Sequence, residues 1–191
     1  MNDTICAIST ALGVGAISII RVSGEEAINK VANLFDGKNL NEVKSHTIHY
    51  GHIISNGEII DEVLVTILKA PKTYTKEDIV EINSHGGIST TKKILEILIE
   101  NGIRLAEPGE FTKRAFLNGR LDLTEAEAVN SLIKSRTDLE RKLALNTLSG
   151  KVSKKINNVR EIIVELLANI EVNIDFPEYE DALEITLENL P

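Results

Sequence analysis

The stretch Glu107–Val129, EPGEFTKRAFLNGRLDLTEAEAV, constrains the fold most tightly. Pro108-Gly109 is a turn signal, because proline presets φ and glycine accepts either sign of it. Glu110 to Leu117 then reads as a short helix carrying Phe111, Ala115, Phe116 and Leu117, and Asn118-Gly119 stops it. Thr124, with Glu127 three residues on, reads as a capping box that opens the next helix. Two helices therefore meet at a corner, with Arg120 on the connection. Asn118 and Asp122 read as turn and cap residues.

Before this corner the pattern is mixed. Thr4–Ser9 and Ala16–Val22 read as strands joined by a glycine-containing loop. Ser23 with Glu26 reads as a capping box for a helix bearing Ala27, Ile28, Val31, Ala32 and Leu34, which Gly37 ends. Lys38–Ser45 is polar and loop-like. His46–Ser55 and Glu58–Lys69 form a hairpin across Asn56-Gly57, a dipeptide suited to a tight two-residue turn. Ile79–Asn83 reads as a strand broken by His85-Gly86-Gly87. A helix over Ser89–Glu100 follows, with Ile94, Leu95, Ile97 and Leu98 inward. After Thr124 strand signals cease. Thr137 with Glu140 caps a further helix, and Val159, Ile163, Leu166 and Ile170 recur at helical spacing in a long one ending near Asp175-Phe176-Pro177. The expectation is an α+β fold: a mixed α/β domain over 1–120, then an all-α segment over 121–191 whose apolar face needs a partner.

Charge divides the chain differently. The net charge is −8. Residues 1–100 carry 9 basic and 13 acidic side chains, residues 101–160 carry 12 and 7, and residues 161–191 carry none and 9. An acidic chain is a poor non-specific nucleic-acid binder, so only the basic middle third offers a contact face for RNA. A solvated helical surface explains the same charges. The acidic end opposes compaction. No apolar run approaches a membrane span, and Met1-Asn2-Asp3 lacks the basic start of a signal peptide. The single Cys6 excludes an internal disulfide and fits a cytoplasmic location; within a strand it reads as a small buried hydrophobe rather than a nucleophile.

Few residues suggest chemistry. No Gly-x-x-x-x-Gly-Lys-Ser/Thr occurs in the sequence, so no phosphate loop is expected. His46 and His52 alternate with His49 along a strand, no acidic cluster completes a coordination sphere, and no metal site is expected. His85 reads as a turn residue or a ligand contact, and Glu77-Asp78 as a solvated loop pair. No catalytic set is evident. Arg21, at a strand end, is either a surface charge or a fork for a carboxylate. Glu81 shares a strand face with Ile79, opposite Val80 and Ile82. It is either a solvent-facing acid or an acceptor for adjacent N–H donors on a heterocycle edge.

Four stretches, DTICAISTALGVGAISIIRVSG (3–24), YTKEDIVEINSHGG (74–87), PGEFTKRAFLNGRLDLTEAEA (108–128) and NIDFPEYE (173–180), resemble, in order and spacing, the MnmE/TrmE family of tRNA-modification GTPases. The loop before Gly13 departs from the family pattern, with Ala11-Leu12 where proline is frequent. The resemblance implies an N-terminal domain similar to the folate-binding unit of the glycine-cleavage T-protein, which also forms a homodimer. It implies that Arg21, Glu81 and Arg120 bind a one-carbon tetrahydrofolate (5-formyl or 5,10-methylene), Arg120 replacing a basic residue that is often lysine. It implies modification of C5 of the wobble uridine of tRNA with a MnmG/GidA-type flavoprotein. GTP, Mg²⁺ and K⁺ would belong to a G domain outside these residues, so this chain is expected neither to bind nor to hydrolyse GTP. A binding-only module and a pure dimerisation scaffold are the alternatives.

Overall fold

Alternation of apolar and polar residues builds the sheet, and its core face is nearly dry. In the computed structural model, which describes residues 3–175, the strands are β1 (Ile5–Ile8), β2 (Ile17–Ser23), β3 (Phe35–Gly37), β4 (Thr47–Ser55), β5 (Glu58–Leu68), β6 (Ile79–His85) and β7 (Arg104–Leu105). They form one seven-stranded sheet in the order β3-β4-β5-β6-β2-β1-β7. Every pairing is antiparallel except β1 with β7. Cys6, Ile20, Val22, Ile53, Val63, Val65, Ile67, Val80 and Ile82 are buried in one cluster with residues of α1 (Ala27–Ala32) and α2 (Ile88–Glu100). The helices supply Ala27, Ile28, Val31, Ile94, Ile97 and Leu98, and the loop after β3 adds Leu40 and Val43. Two helices thus cover one face of the sheet, as an α+β layer arrangement requires.

The β4–β5 hairpin turns as its sequence dictates. Asn56 and Gly57 both take positive φ, 51° and 82°, the condition for a turn whose twist matches the strands. α3 (Glu110–Leu117) also has the predicted limits. Gly109 enters it at φ 78°, and Gly119 at φ 66° leaves it. The amide of Gly119 donates to Phe116 O and that of Arg120 to Ala115 O, at 2.9 and 2.8 Å, which is a Schellman ending.

Four readings change in the first part of the chain. The Ser23/Glu26 box does not form: Ser23 is the last residue of β2, α1 starts after Glu26 without a side-chain cap, and the Ser23 hydroxyl bonds elsewhere. β3 is a strand in a stretch that reads as a helix end, and β7 is a strand where no element is expected. His46 lies outside β4, at φ 62°. α3 turns Glu110, Arg114 and Ala115 inward and leaves Phe116 and Leu117 exposed, so charge rather than apolar surface dominates its buried side.

The chain divides into two compact units, with Leu121 ending the first and Asp122 beginning the second. The described part of the second holds α4 (Leu123–Lys134), α5 (Asp138–Leu148) and α6 (Lys151–Asp175). The box opening α4 is Asp122 with Glu125, two residues before the expected one: Asp122 accepts from the Glu125 amide at 2.8 Å, and Glu125 accepts from the Asp122 amide at 2.9 Å. Asp122 lies two residues earlier, where an extended backbone frees its carboxylate for the cap, while Thr124 is already helical. Thr137 and Glu140 cap α5 as read. Residues 161–175, part of the acidic end expected to resist compaction, continue α6, and 176–191 lie outside the described residues.

Candidate functional site

The face of the sheet opposite α1 and α2 carries the polar residues of the same alternating strands. Ile20, Val22, Val80 and Ile82 are fully buried in the core. With a period of two, Arg21 and Glu81 must project from the other face. They are also direct cross-strand partners, because β2 and β6 run antiparallel with Arg21 opposite Glu81. Arg21 Nε and Nη2 donate to Glu81 Oε1 at 2.9 and 2.7 Å. Both bonds land on one oxygen, so Oε2 is not engaged by the guanidinium. The two side chains are 28% and 23% exposed, open enough to meet a ligand and sheltered enough to hold one geometry.

Two half-buried aromatic rings flank the pair. The Arg21 guanidinium carbon lies 5.6 Å from the Tyr74 ring centroid and 5.7 Å from that of Phe111. Tyr74 comes from the segment between β5 and β6, and Phe111 from the first turn of α3. Arg120 follows the Gly119 turn and places its guanidinium 4.8 Å from the Tyr74 centroid. Tyr74 is therefore contacted by both cations, an attraction worth about 0.5–1 kcal/mol at exposed sites. Its hydroxyl shares a 2.9 Å hydrogen bond with Thr112. The structure thus brings Arg21, Glu81 and Arg120 to one place. Sequence reasoning missed the two aromatics, since Phe111 reads as an apolar helix residue and Tyr74 precedes a polar loop.

Behind the site lies a charge network assembled mostly from residues far apart in sequence. Arg114 is 1% exposed. It donates to Asp3, Glu77 and Glu110, of which Asp3 is 111 residues distant and Glu77 is 37. Arg104 donates to Asp3 and Glu110 as well. The Arg104 hydrogen bond, with help from the Glu107 amide and Arg114, holds the Glu110 carboxyl down at about 2 against the opposing effect of burial. Asp3 is lowered chiefly by Arg104 too. Glu77-Asp78 is not a solvated pair: Glu77 accepts from Ser23 Oγ at 2.7 Å, and Asp78 accepts from the Ala70 amide at 2.8 Å. The only local hint was Glu110 and Arg114 at helical i, i+4 spacing.

The remaining candidates fall elsewhere. Cys6 is buried in the core, and desolvation pushes its thiol up to about 11. His85 pairs with Asp61 at 2.7 Å, a bond that raises the imidazole above its ordinary value. Among the described residues no group of three or more His, Cys, Asp or Glu side chains is placed to hold a metal. No described helix is long and apolar enough to cross a membrane.

The chemistry on offer is recognition. A carboxylate such as that of Glu81 can accept from N–H donors on a heterocycle edge, aromatic rings such as Tyr74 and Phe111 can meet a flat group, and an exposed guanidinium such as that of Arg120 can pair with an anion. The chain is thus a mixed-sheet unit with an aromatic-walled Arg–Glu site, followed by a helical unit. Residues 4–120 match the family described as GTP-binding protein TrmE N-terminus, and residues 123–190 match the MnmE helical domain. The chain belongs to the MnmE/TrmE family of tRNA-modification GTPases. It is 58% identical over 186 residues to the protein named tRNA modification GTPase MnmE of Bacillus cytotoxicus, a match covering 96% of this chain and 41% of that one. The protein of the same name from Streptococcus thermophilus is 59% identical over 184 residues, covering 96% and 40%. The chain spans about two fifths of the length of these relatives.

Proposed function

We propose that this chain is the folate-binding, dimer-forming part of a tRNA-modification GTPase, with Arg21, Glu81 and Arg120 holding a one-carbon tetrahydrofolate. One observation carries the reading: a cross-strand Arg21–Glu81 pair stands beside Tyr74, Phe111 and Arg120. A pterin ring presents adjacent N–H donors that a carboxylate accepts, and the glutamate end of a folate is anionic. Arg21 holds Oε1 of Glu81 and leaves Oε2 to the ring edge. Tyr74 and Phe111 stack on the flat faces, and Arg120 takes the negative charge.

The whole family protein, on this proposal, uses that one-carbon unit at C5 of the wobble uridine of tRNA, in the cytoplasm, together with a MnmG/GidA-type flavoprotein. GTP, Mg²⁺ and K⁺ act at a G domain outside these residues. The basic side chains of residues 101–160 are the proposed contact for tRNA. A homodimer is favoured by the uncovered end of the open sheet face. Ile17, Tyr50 and Leu64 are exposed there around a groove of about 220 Å³ that also takes in Asn83 and His85, and Ile48 is exposed as well.

Calorimetric titration with 5-formyltetrahydrofolate, with the oligomeric state read alongside, tests the proposal. Micromolar binding to a dimer is expected. A folded dimer that binds no folate would mean either that residues outside this chain complete the pocket or that the domain is only a scaffold.

A further inference from the structure

We propose that Arg114 is the positioning residue of this site: its buried guanidinium fastens α3 and the 70–78 segment into one wall and so sets where Phe111 and Tyr74 stand against Arg21. The inference rests on the ligand-binding reading above and takes it further.

Arg114 Nη1 donates to Asp3 O at 2.8 Å and to the two Glu77 oxygens at 3.2 and 3.3 Å. Nη2 donates to Asp3 Oδ1 at 2.8 Å and Glu110 Oε1 at 3.1 Å. One fork therefore joins the start of the chain, the loop before β6 and α3. Phe111 lies one helical turn before Arg114, and Tyr74 lies three residues before Glu77. Glu77 also accepts from Ser23, two residues from Arg21 on β2. The wall is cross-tied elsewhere: Asn118 Nδ2 donates to Thr75 O at 2.6 Å, Lys76 Nζ to Gly119 O at 2.9 Å, and the Tyr74 and Thr112 hydroxyls share a bond. Those ties are single bonds at more open positions. Arg114 alone spans three carboxylates from a site sealed from water.

Charge alone cannot replace this arrangement. A lysine at 114 keeps the positive charge but presents one compact ammonium where a planar fork reaches several acceptors in fixed directions. With the fork gone, Arg104 still holds Asp3 and Glu110, while Glu77 keeps only Ser23 and its own segment. The 70–78 segment is then held to α3 and the turn after it only by the three single ties, and Tyr74 shifts from its place against Arg21 and Arg120.

The test uses the whole chain labelled with 3-fluorotyrosine, the Tyr74 resonance being assigned with Tyr74→Phe. In Arg114→Lys the Tyr50 resonance should keep its folded position, while that of Tyr74 moves toward the unfolded value. Affinity for 5-formyltetrahydrofolate should fall about tenfold or more, near the worth of one charge-assisted hydrogen bond. Ile94→Val, which loosens the opposite face of the sheet, should lower the melting temperature and leave Tyr74 and affinity unchanged. Glu77→Gln should reproduce the Tyr74 shift, and it carries the test if Arg114→Lys does not fold. An unmoved Tyr74 resonance, or a moved one with wild-type affinity, overturns the proposal. If the unaltered chain binds no folate, the ligand reading fails, and the Tyr74 resonance alone decides whether Arg114 sets the wall.

Discussion

Replacing Glu110 by Gln should remove a pH-dependent part of the stability of the first unit. The Glu110 carboxyl titrates at about 2 in the folded chain against an ordinary 4.5. Its side chain is 4% exposed, so water screens the interaction little. At about 1.4 kcal/mol per pH unit, the difference amounts to about 3 kcal/mol. A depressed carboxyl pKa means that the unfolded chain takes up the proton first. The stability is therefore complete above about pH 4.5 and is lost as pH falls toward about 2, being roughly halved near pH 3. Urea titrations from about pH 7 to about pH 3, followed by the folded and unfolded fluorine resonances of 3-fluorotyrosine at Tyr50, read this unit separately from the helices. Glu110→Gln should be less stable by about 3 kcal/mol at neutral pH, with the gap narrowing to about 1.5 kcal/mol near pH 3. Parallel curves for the two proteins across that range would refute the reasoning, because the gap would then come from packing and not from ionisation.

Glu81→Ala should weaken 5-formyltetrahydrofolate binding by about 1.5–3 kcal/mol, the range for a charge-assisted hydrogen bond; calorimetry showing full affinity in a folded variant would remove Glu81 from the site. Asp122→Ala should cost about 1 kcal/mol by deleting the cap of α4, visible as faster amide exchange in its first turn, and unchanged exchange would mean that the cap contributes nothing. Cys6 should resist a disulfide reagent in the native chain and react once urea opens the sheet, since it is buried and its thiol is pushed up to about 11. Rapid native labelling would contradict that burial.

The parts of this fold that can be read from sequence are those decided within a few residues. Asn56-Gly57 fixes a hairpin because both residues must take positive φ, and Gly109 and Gly119 bound α3 for the same reason. β3 and β7, at three and two residues, are too short to show an alternation, and they exist because β4 and β1 offer them an edge. The Ser23 cap failed on a longer-range competitor. Its hydroxyl had partners at Thr75 and Glu77, 52 and 54 residues on, and the strand had claimed its backbone. The site divides in the same way. That Glu81 leaves the core face follows from Val80 and Ile82 entering it. That it meets Arg21, 60 residues away, follows only from the β2–β6 register.

The two halves of the site are held by different forces, and the difference explains the charge beneath it. The sheet needs nothing special to fix Arg21 and Glu81, since Ile20, Val22, Val80 and Ile82 anchor their strands in a dry core and a ladder sets the register. The walls have no such anchor. Ala115 is the one apolar residue among the three that α3 buries, so apolar contact constrains the rotation of that helix little. Apolar burial is non-directional and by itself resists a turn of the helix only weakly. Carboxylates and guanidinium groups lose their bonds over such a turn, because hydrogen bonds weaken steeply with angle. Burying the charges costs desolvation that apolar side chains would avoid, which makes the network a poor device for stability alone. It is a good device for holding Phe111 and Tyr74 at one angle to Arg21, and on the proposed function those two rings are what a flat ligand would meet.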